Sequence, residues 1–402
     1  MASPKSSPAQ VLDCPADLYS APRKPVGISI TPFAAEHVAA VRAFNSRLRA
    51  ASSPLLFPET HLSDTLPKLP GRTIFDEYLL AVDGDAVHGA YILKQQPFYV
   101  AGADTTLGQY RLPLSEGQLD KKYAAVGVQM YLDAVRRLPR LYTIGLGGYE
   151  EAFTQMLVKA GWKTWTVPFY FRVLHPRRFL RHIEYLRTSP LRRTVLNMLA
   201  FSGLGTLAVA AFQALKTRGP RVSLSGIETF VESSFGPWAD ELWQSARGEY
   251  SLIARRDAEQ LNILYSPSEP RWTRLRVTRS GETIGWAVVL NVPMTGHSYF
   301  GDMQVGSLID CLALPGCENQ VAAAAVDYLR NERADIVVTN LAHKRWRAAV
   351  EAAGLYEGPS NYIFAASKPV AALLEPFDEQ VERIHMTRGD GAGAGNLIEV
   401  RK

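Results

Sequence analysis

The chain has 402 residues, of which 47% are hydrophobic and 21% charged, and its net charge is +5. That length predicts two or three domains, and the composition excludes a disordered chain, a coiled coil and a collagen-like repeat. The small positive charge is compatible with an anionic cofactor or a membrane surface, but it does not predict a nucleic-acid partner. Three cysteines, Cys14, Cys311 and Cys317, favour a reducing, cytoplasmic location and predict no bound metal.

The first 25 residues are rich in Pro, Ser and Ala and lack the apolar stretch of an export signal. Such a composition cannot bury enough apolar surface to form a core. We therefore expect a disordered leader over residues 1–25 and a folded chain from residue 26.

The folded part contains one order of elements twice. Each copy opens with a strand, a tight turn and a second strand, and Asp83-Gly84 and Ser280-Gly281 supply the two turns. A long strand, a helix, a short strand, a helix and a closing strand follow each hairpin. The predicted ranges are 109–114, 120–137, 141–144, 150–160 and 166–174 in the first copy, and 307–315, 318–330, 336–339, 343–353 and 362–366 in the second.

The two copies are offset by roughly 195 residues, which predicts an internal duplication. We place one domain at 26–180 and a second at 222–375, with an apolar helical linker at 181–221. Residues 376–402 are predicted to be a C-terminal tail. Its glycine-rich part, 385–396, is expected to be a flexible terminus, with an anion-binding loop as the alternative.

Residues 194–215 carry no charge and have basic residues on both sides. A bilayer span needs ~20 apolar residues, so the segment is long enough. Its glycines and polar residues favour other forms: a buried linker helix or helical hairpin, or a peripheral membrane contact. All three readings remain open from the sequence, and a membrane-associated location is kept beside the cytoplasmic one.

The order and spacing of these elements resemble the GNAT acyltransferase fold, and tandem GNAT domains occur in that superfamily. The resemblance implies an α/β (α+β) protein of two tandem GNAT-like domains, each a mixed, mostly antiparallel sheet flanked by helices. It further implies acetyl-CoA or a longer acyl-CoA as co-substrate, with no metal. The CoA arm would lie where the fourth and fifth strands separate, and the diphosphate would lie at the start of the next helix.

In this family, small residues at that helix start let backbone amides approach the phosphates. The matching stretch in the first half runs from Lys122 to Gly127, although Lys122 replaces the usual Arg or Gln and Ala125 replaces a Gly. The second half has Glu318 there and no glycine, so we expect CoA in the first half. The predicted cofactor-binding residues are Leu112, Leu114, Lys122, Ala125, Val126, Gly127 and Val128.

The resemblance also implies a base for the amine and an acid for the departing thiolate. The family's acid, a tyrosine, is replaced by Leu157 in the first half and Val350 in the second, and Tyr149 is an alternative. Glu116, after the fourth strand, is the candidate catalytic base. Asp310 lies within an apolar strand, so it is expected to face a groove, pair with an arginine or contact substrate.

These observations predict an N-acyltransferase that moves an acyl group from acyl-CoA to a small-molecule amine. An amino sugar or a precursor of a cell-envelope polysaccharide would be a suitable acceptor. One alternative is a catalytically silent GNAT-like binding or scaffold protein at a membrane surface. Another is a Fem-like transferase that uses aminoacyl-tRNA as donor.

Overall fold

The computed structural model describes residues 27–216 and 222–391 of the chain. The predicted leader at 1–25, residues 217–221 of the predicted linker and residues 392–402 of the predicted tail lie outside the described residues.

The first half contains seven strands and three helices. In chain order they are β1 (Ser29–Pro32), α1 (Val38–Ala50), β2 (Phe75–Asp83), β3 (Ala86–Val100), β4 (Ala103–Ser115), α2 (Val126–Arg137), β5 (Leu141–Ile144), α3 (Ala152–Lys159), β6 (Lys163–Thr166) and β7 (Phe169–Val173). The predicted helix at 120–137 therefore begins only at Val126. Two short 3-10 turns, Glu116–Gln118 and Lys121–Tyr123, occupy the approach to it.

Three helices connect the halves: α4 (Pro176–His182), α5 (Pro190–Ser202) and α6 (Leu204–Lys216). The second half follows with β8 (Ile227–Glu232), α7 (Pro237–Ala246), β9 (Leu252–Ala254), α8 (Ala258–Leu264), β10 (Thr273–Arg279), β11 (Glu282–Pro293), β12 (Gln304–Ala313), α9 (Glu318–Asn331), β13 (Ile336–Asn340), α10 (Lys344–Ala352), β14 (Tyr356–Gly358) and β15 (Ile363–Ala366). The described chain ends with α11 (Lys368–Leu373), α12 (Phe377–Gln380) and β16 (Ile384–His385).

The strands form two mixed sheets. The first has the order β1-β2-β3-β4-β5-β15-β6, with β9 paired to β3 and β16 paired to β9; the second has the order β14-β7-β13-β12-β11-β10-β8. Most neighbours are antiparallel, whereas β4–β5, β9–β16 and β12–β13 are parallel. Helix α1 packs on one face of the first sheet and α2 on the other. The predicted fold class is confirmed: an α/β protein of two mixed, mostly antiparallel sheets flanked by helices.

The closing strands are exchanged between the halves. The sequence predicts that residues 166–174 and 362–366 each complete their own half. In the structure, β7 lies in the second sheet between β13 and β14, and β15 lies in the first sheet between β5 and β6. An apolar strand buries equally well in either sheet, so its sequence carries no sign of which sheet it joins. Each sheet is complete only with a strand from the other half.

The expectation of a flexible tail is wrong as far as residue 391. Residues 376–391 fold back over the molecule as α12, β16 and a short 3-10 turn, Arg388–Asp390. Met386, Thr387 and Asp390 are each at most 1% exposed. The glycines near Asp390 suggest a loose terminus in the sequence, but distant partners described below hold this segment in place.

The uncharged linker segment forms a helical hairpin. Ser189 caps α5 and Pro190 begins it, and α5 and α6 are separated only by Gly203, whose φ is +77°. Among the described residues no single helix is long and apolar enough to cross a membrane. The α5–α6 pair is apolar and long enough in total, but its two helices are bent by 89° relative to each other.

Candidate functional site

Strands β4 and β5 separate soon after they meet. Their pairing covers only two positions, Gly108 with Leu141 and Gln109 with Tyr142. Strand β4 then continues for six residues to Ser115, a distance of roughly 20 Å at the rise of an extended strand. We call the point of separation the first fork, and the opening from it to the start of α2 the first slot.

The helix at the far end of the first slot begins with free backbone donors. Among the described residues, the amides of Val126, Gly127 and Val128 have no hydrogen-bond acceptor, and the amide of Gln129 is the first to bond, to Ala125 O at 3.0 Å. A Cβ atom on Gly127 would meet nothing closer than Ser115, at 3.9 Å. Free donors at the positive end of a helix, with open space in front of them, suit an anion.

The predicted cofactor-binding residues lie at three places around this slot. Leu112 and Leu114 are on β4 beyond the fork, and both pack towards the α1 face of the sheet. Lys122 is exposed, with its ammonium 5.0 Å above the Tyr123 ring. Ala125, Val126, Gly127 and Val128 form the first turn of α2, where Val126 is buried and Val128 is exposed. Their assignment to CoA stays a prediction.

Glu116 lies at the helix end of the slot and is only 5% exposed. One of its carboxylate oxygens contacts Arg47 Nε, and the other is 2.5 Å from His88 Nδ1. The His88 ring stacks on Tyr123 with 3.9 Å between the ring centres. Glu116 therefore has both oxygens engaged and joins α1, β3 and the approach to α2. It stands near the free amides of α2 rather than at the fork.

The first fork carries a row of polar side chains that sequence reasoning missed. Lys94 pairs with Gln109 across β3 and β4, and Gln109 pairs with Tyr142 across β4 and β5, so the three side chains share one face of the sheet. All three are at most 3% exposed. Among the described residues, the Gln109 amide and the Tyr142 hydroxyl have no hydrogen-bond partner. Burial holds the pKa of Tyr142 well above its ordinary value, so its hydroxyl keeps its proton.

Lys94 is unusual within this row because it carries a charge. In the part of the chain that the structure describes, its ammonium forms neither a hydrogen bond nor an ion pair. Burial, with a smaller contribution from the Arg111 guanidinium, lowers the pKa of Lys94 to about 8. A signal for this site was present in the sequence, since polar residues interrupt the buried face of two strongly apolar strands.

A cavity of about 550 Å³ between the two halves opens onto Lys94. Three regions of the chain line it besides Lys94 and Arg111. They are the loop before β2, with Asp64 and Arg72; the end of α8 and the connection to β10, with Glu269 and Arg271; and the turn near the end of the described chain, with Gly389 and Gly391. We call this space the inter-half cavity. It lies on the same face of the first sheet as the side chains of Lys94, Gln109 and Tyr142.

The second half has an equivalent fork that is filled. Strands β12 and β13 pair at three positions, ending at Ser307 with Val338, and β12 continues to Ala313 without β13. Residues 384–391, which we call the C-terminal segment, lie over this opening. Thr387 forms a β-bridge with Leu341, and the amide of Ala342 donates to Met386 O at 3.0 Å.

Asp310 binds the C-terminal segment from within this second fork. Its carboxylate lies 2.8 Å from Arg256 Nε, accepts a bond of 2.8 Å from the Tyr265 hydroxyl and accepts one of 3.2 Å from Thr387 Oγ1. Arg256 also donates to Asp390 at 2.6 Å. Burial alone would raise the pKa of Asp310, but the Arg256 guanidinium, His385 and the Tyr265 hydroxyl together outweigh it, and the pKa falls below its ordinary value. Of the three expectations for Asp310, the structure shows pairing with an arginine.

Leu157 and Tyr149 are the two first-half positions that the sequence analysis considered for the acid. Leu157 is fully buried in the core between α2 and α3, and Tyr149 is 45% exposed on the loop after β5. No group of three or more His, Cys, Asp and Glu side chains in the described ranges could hold a metal ion.

Neither a family model nor a curated protein matches the sequence. Solved structures do show similarity. A tandem GNAT protein from the clavulanic acid biosynthesis pathway has 12% identity and a TM-score of 0.44, over 85% of this chain and 99% of that one. A probable N-acyltransferase from Enterococcus faecalis V583 has 10% identity and a TM-score of 0.46, over 87% of this chain and 74% of that one. The N-myristoyltransferase of Saccharomyces cerevisiae, solved with bound myristoyl-CoA and inhibitors, has 9% identity and a TM-score of 0.47, over 87% and 84%.

Proposed function

We propose that the chain is an acyl-CoA-dependent N-acyltransferase whose first half holds the acyl-CoA. The observation that carries this proposal is the first slot, which has parted strands at one end and free helix amides at the other. The diphosphate would lie on the amides of Val126, Gly127 and Val128. The pantetheine arm would follow the free edge of β4, where unpaired backbone groups can bond to its amides, and the thioester would reach the first fork.

The reaction proposed at the fork is direct aminolysis of the thioester. The lone pair of a neutral amine attacks the carbonyl carbon, the carbon–sulfur bond breaks, and the amine proton is lost while the thiolate gains one. The protonated Tyr142 hydroxyl and the Gln109 amide are donors that can stabilise the oxyanion or the departing sulfur. We assign Glu116 a different task from the one expected, which is to position Arg47 beside the diphosphate end of the slot.

The test is CoA binding followed by turnover. At 100 times its dissociation constant, a ligand adds ~2.7 kcal/mol to the free energy of unfolding, so acetyl-CoA or a longer acyl-CoA should raise the melting temperature. Tyr142→Phe should keep this shift and slow thiol release in the presence of amines by at least tenfold. Absence of a shift with every acyl-CoA tested would reject the proposal and favour the catalytically silent alternative.

We assign the second half a supporting role in this reaction. Its fork is filled by the C-terminal segment, and its helix α9 begins with Glu318, which is near Arg345 at 3.7 Å. A carboxylate at that helix start disfavours a diphosphate. The second half would therefore bind no acyl-CoA and would instead supply one wall of the inter-half cavity.

We further propose that the α5–α6 hairpin contacts an anionic membrane surface. Its exposed apolar side chains are Leu191, Val195, Met198, Phe201, Leu204, Leu207, Phe212 and Leu215, and Phe201, Leu204 and Leu207 are each at least 62% exposed. Residues 176–216 carry six arginines and one lysine against one glutamate. Arg177 and Arg181 lie 5.7 and 5.2 Å from the Phe201 ring. Exposed apolar groups beside clustered cations are typical of a segment that lies in the lipid interface.

Vesicle sedimentation tests this contact. The protein should sediment with vesicles that contain phosphatidylserine, less with pure phosphatidylcholine, and less again at high salt. Leu204→Glu with Leu207→Glu should abolish the binding, whereas Val158→Glu, at an exposed apolar site on α3, should leave it unchanged. Equal sedimentation of the double variant and the unchanged protein would refute the membrane contact.

A further inference from the structure

Lys94 is a buried cation next to the first fork, and the neighbouring carboxylates already have other hydrogen-bond partners. Asp76 lies opposite Lys94 in the register of β2 and β3. Its carboxylate accepts a hydrogen bond of 3.2 Å from Arg111 and one of 3.1 Å from Ser63. Asp390 accepts from Arg256 at 2.6 Å. The Lys94 ammonium has three donors and forms no hydrogen bond or ion pair with the described residues, although a buried ammonium normally has a partner.

The inter-half cavity in front of Lys94 also carries more positive than negative side chains. Lys94, Arg72, Arg111 and Arg271 line it, with Asp64 and Glu269 as the acidic members. Glu269 is near Arg271 at 3.5 Å, and Asp64 is exposed at the rim. The inner end of the cavity therefore attracts an anion, and its deepest charged donor is Lys94.

We propose that the inter-half cavity binds the acceptor amine through an anionic group, a carboxylate or a phosphate, held by the Lys94 ammonium. This inference rests on the proposed acyl transfer at the first fork. Lys94 is one strand away from Gln109, which closes the fork, and neighbouring strands are ~4.8 Å apart. An anion at Lys94 therefore places an amine a few bonds away next to the thioester. The substrate class is a short molecule that carries both an amine and an anion.

The protonation of Lys94 gives the site a pH dependence. The charged groups that face it are Asp76 on β2, Arg111 on β4, Arg256 after β9 and Asp390 in the C-terminal segment, and its pKa is about 8. Below that pH the ammonium is charged and binds the anion. Above it the charge is lost, so affinity for anionic amines should fall while affinity for neutral analogues should not.

The experiment measures binding of matched amines to the full chain in the presence of CoA by calorimetry at pH 7. One pair is β-alanine and β-alaninamide, and the other is phosphoethanolamine and ethanolamine. The unchanged protein should bind the anionic member of one pair at least tenfold more tightly, and the pair that shows this identifies carboxylate or phosphate. Lys94→Met, which leaves no buried hydrogen bond broken, should lose the preference. Lys68→Met is the control, because Lys68 pairs with Glu77 at 3.0 Å on the surface.

The results separate this inference from the proposed function. No preference in either pair, or a preference that Lys94→Met retains, would overturn the anion site. Thiol release from acetyl-CoA, measured in parallel, tests the transferase itself. A preference that depends on Lys94 without any thiol release would keep the site and reject the transferase. Equal acylation of anionic and neutral amines would keep the transferase and reject the anion site.

Discussion

The two forks share a backbone geometry and differ in what fills it. In each half a parallel pair of strands stops after two or three positions while one strand runs on. The first fork carries a cation, Lys94, without a described partner, and it leads to free backbone amides at the start of α2. The second is filled by the C-terminal segment, and its Arg256 contacts two carboxylates, Asp310 and Asp390. The separation of strands is thus a property of the fold, whereas side chains decide whether it can be a ligand site.

The largest expected effect is the loss of stability when the filled second fork loses its buried cation. Arg256→Met leaves Asp310 and Asp390 buried without their cation, so the free energy of unfolding should fall by about 3–5 kcal/mol. Chemical denaturation measures this loss. Arg136→Met is the matched control, because the Arg136 side chain is 75% exposed beside Asp133 and should change little. A loss of the same small size in both variants would show that the second fork does not depend on Arg256.

Removing the buried cation of the first fork should change the free energy of unfolding in the opposite direction. The pKa of Lys94 falls from 10.5 to about 8, so at neutral pH its burial costs on the order of 3 kcal/mol. Lys94→Met should therefore raise the free energy of unfolding at pH 7. The unfolded chain binds this proton more tightly, so the unchanged protein gains stability between pH 8 and 10.5 and the difference should shrink there. Denaturation at several pH values checks this. A lower stability for Lys94→Met at pH 7 would mean that Lys94 already has a stabilising partner.

A smaller effect is expected on ligand binding at the start of α2. Gly127→Trp places a large side chain in front of the free amides, and the nearest atoms to its Cβ leave room for folding. The acyl-CoA-dependent increase in unfolding free energy, ~2.7 kcal/mol at 100 times the dissociation constant, should disappear. Leu132→Trp, at an exposed site further along α2, should keep it. If both variants kept the shift, the ligand would lie elsewhere.

The smallest effect concerns one hydroxyl group of the filled fork. Thr387→Val keeps the side-chain shape but removes the hydroxyl that bonds to Asp310 and Asp390, each at 3.2 Å. The free energy of unfolding should fall by about 1 kcal/mol. The acyl-CoA shift of the first half should stay the same. Loss of that shift in Thr387→Val would show that the two forks are coupled.

Local features of the sequence predicted much of the fold. Gly84 and Gly281 identified the two hairpins, and both have positive φ. Helix periodicity and repeat order identified the strands that separate, and the small residues around Gly127 identified the open helix start. Each of these signals depends on residues close together in the chain.

The features that sequence reasoning missed depend on contacts between distant residues. Arg256 and Asp390 are 134 positions apart, so nothing near the terminal glycines shows that this segment is buried. Lys94 and Gln109 become a site only when β3 and β4 pair beside the fork. The exchange of β7 and β15 depends on which of two similar sheets each strand joins. A single sequence contains no information on that choice beyond general hydrophobicity.

That exchange makes the two copies inseparable. A protease that cut the connection between α6 and β8 should leave fragments that stay associated in native buffer, because each contributes an internal strand to the other's sheet. Either copy expressed by itself would expose long unsatisfied strand edges and would tend to aggregate. Because each half supplies a strand that lies inside the other's sheet, loss of either half should destabilise the one that remains.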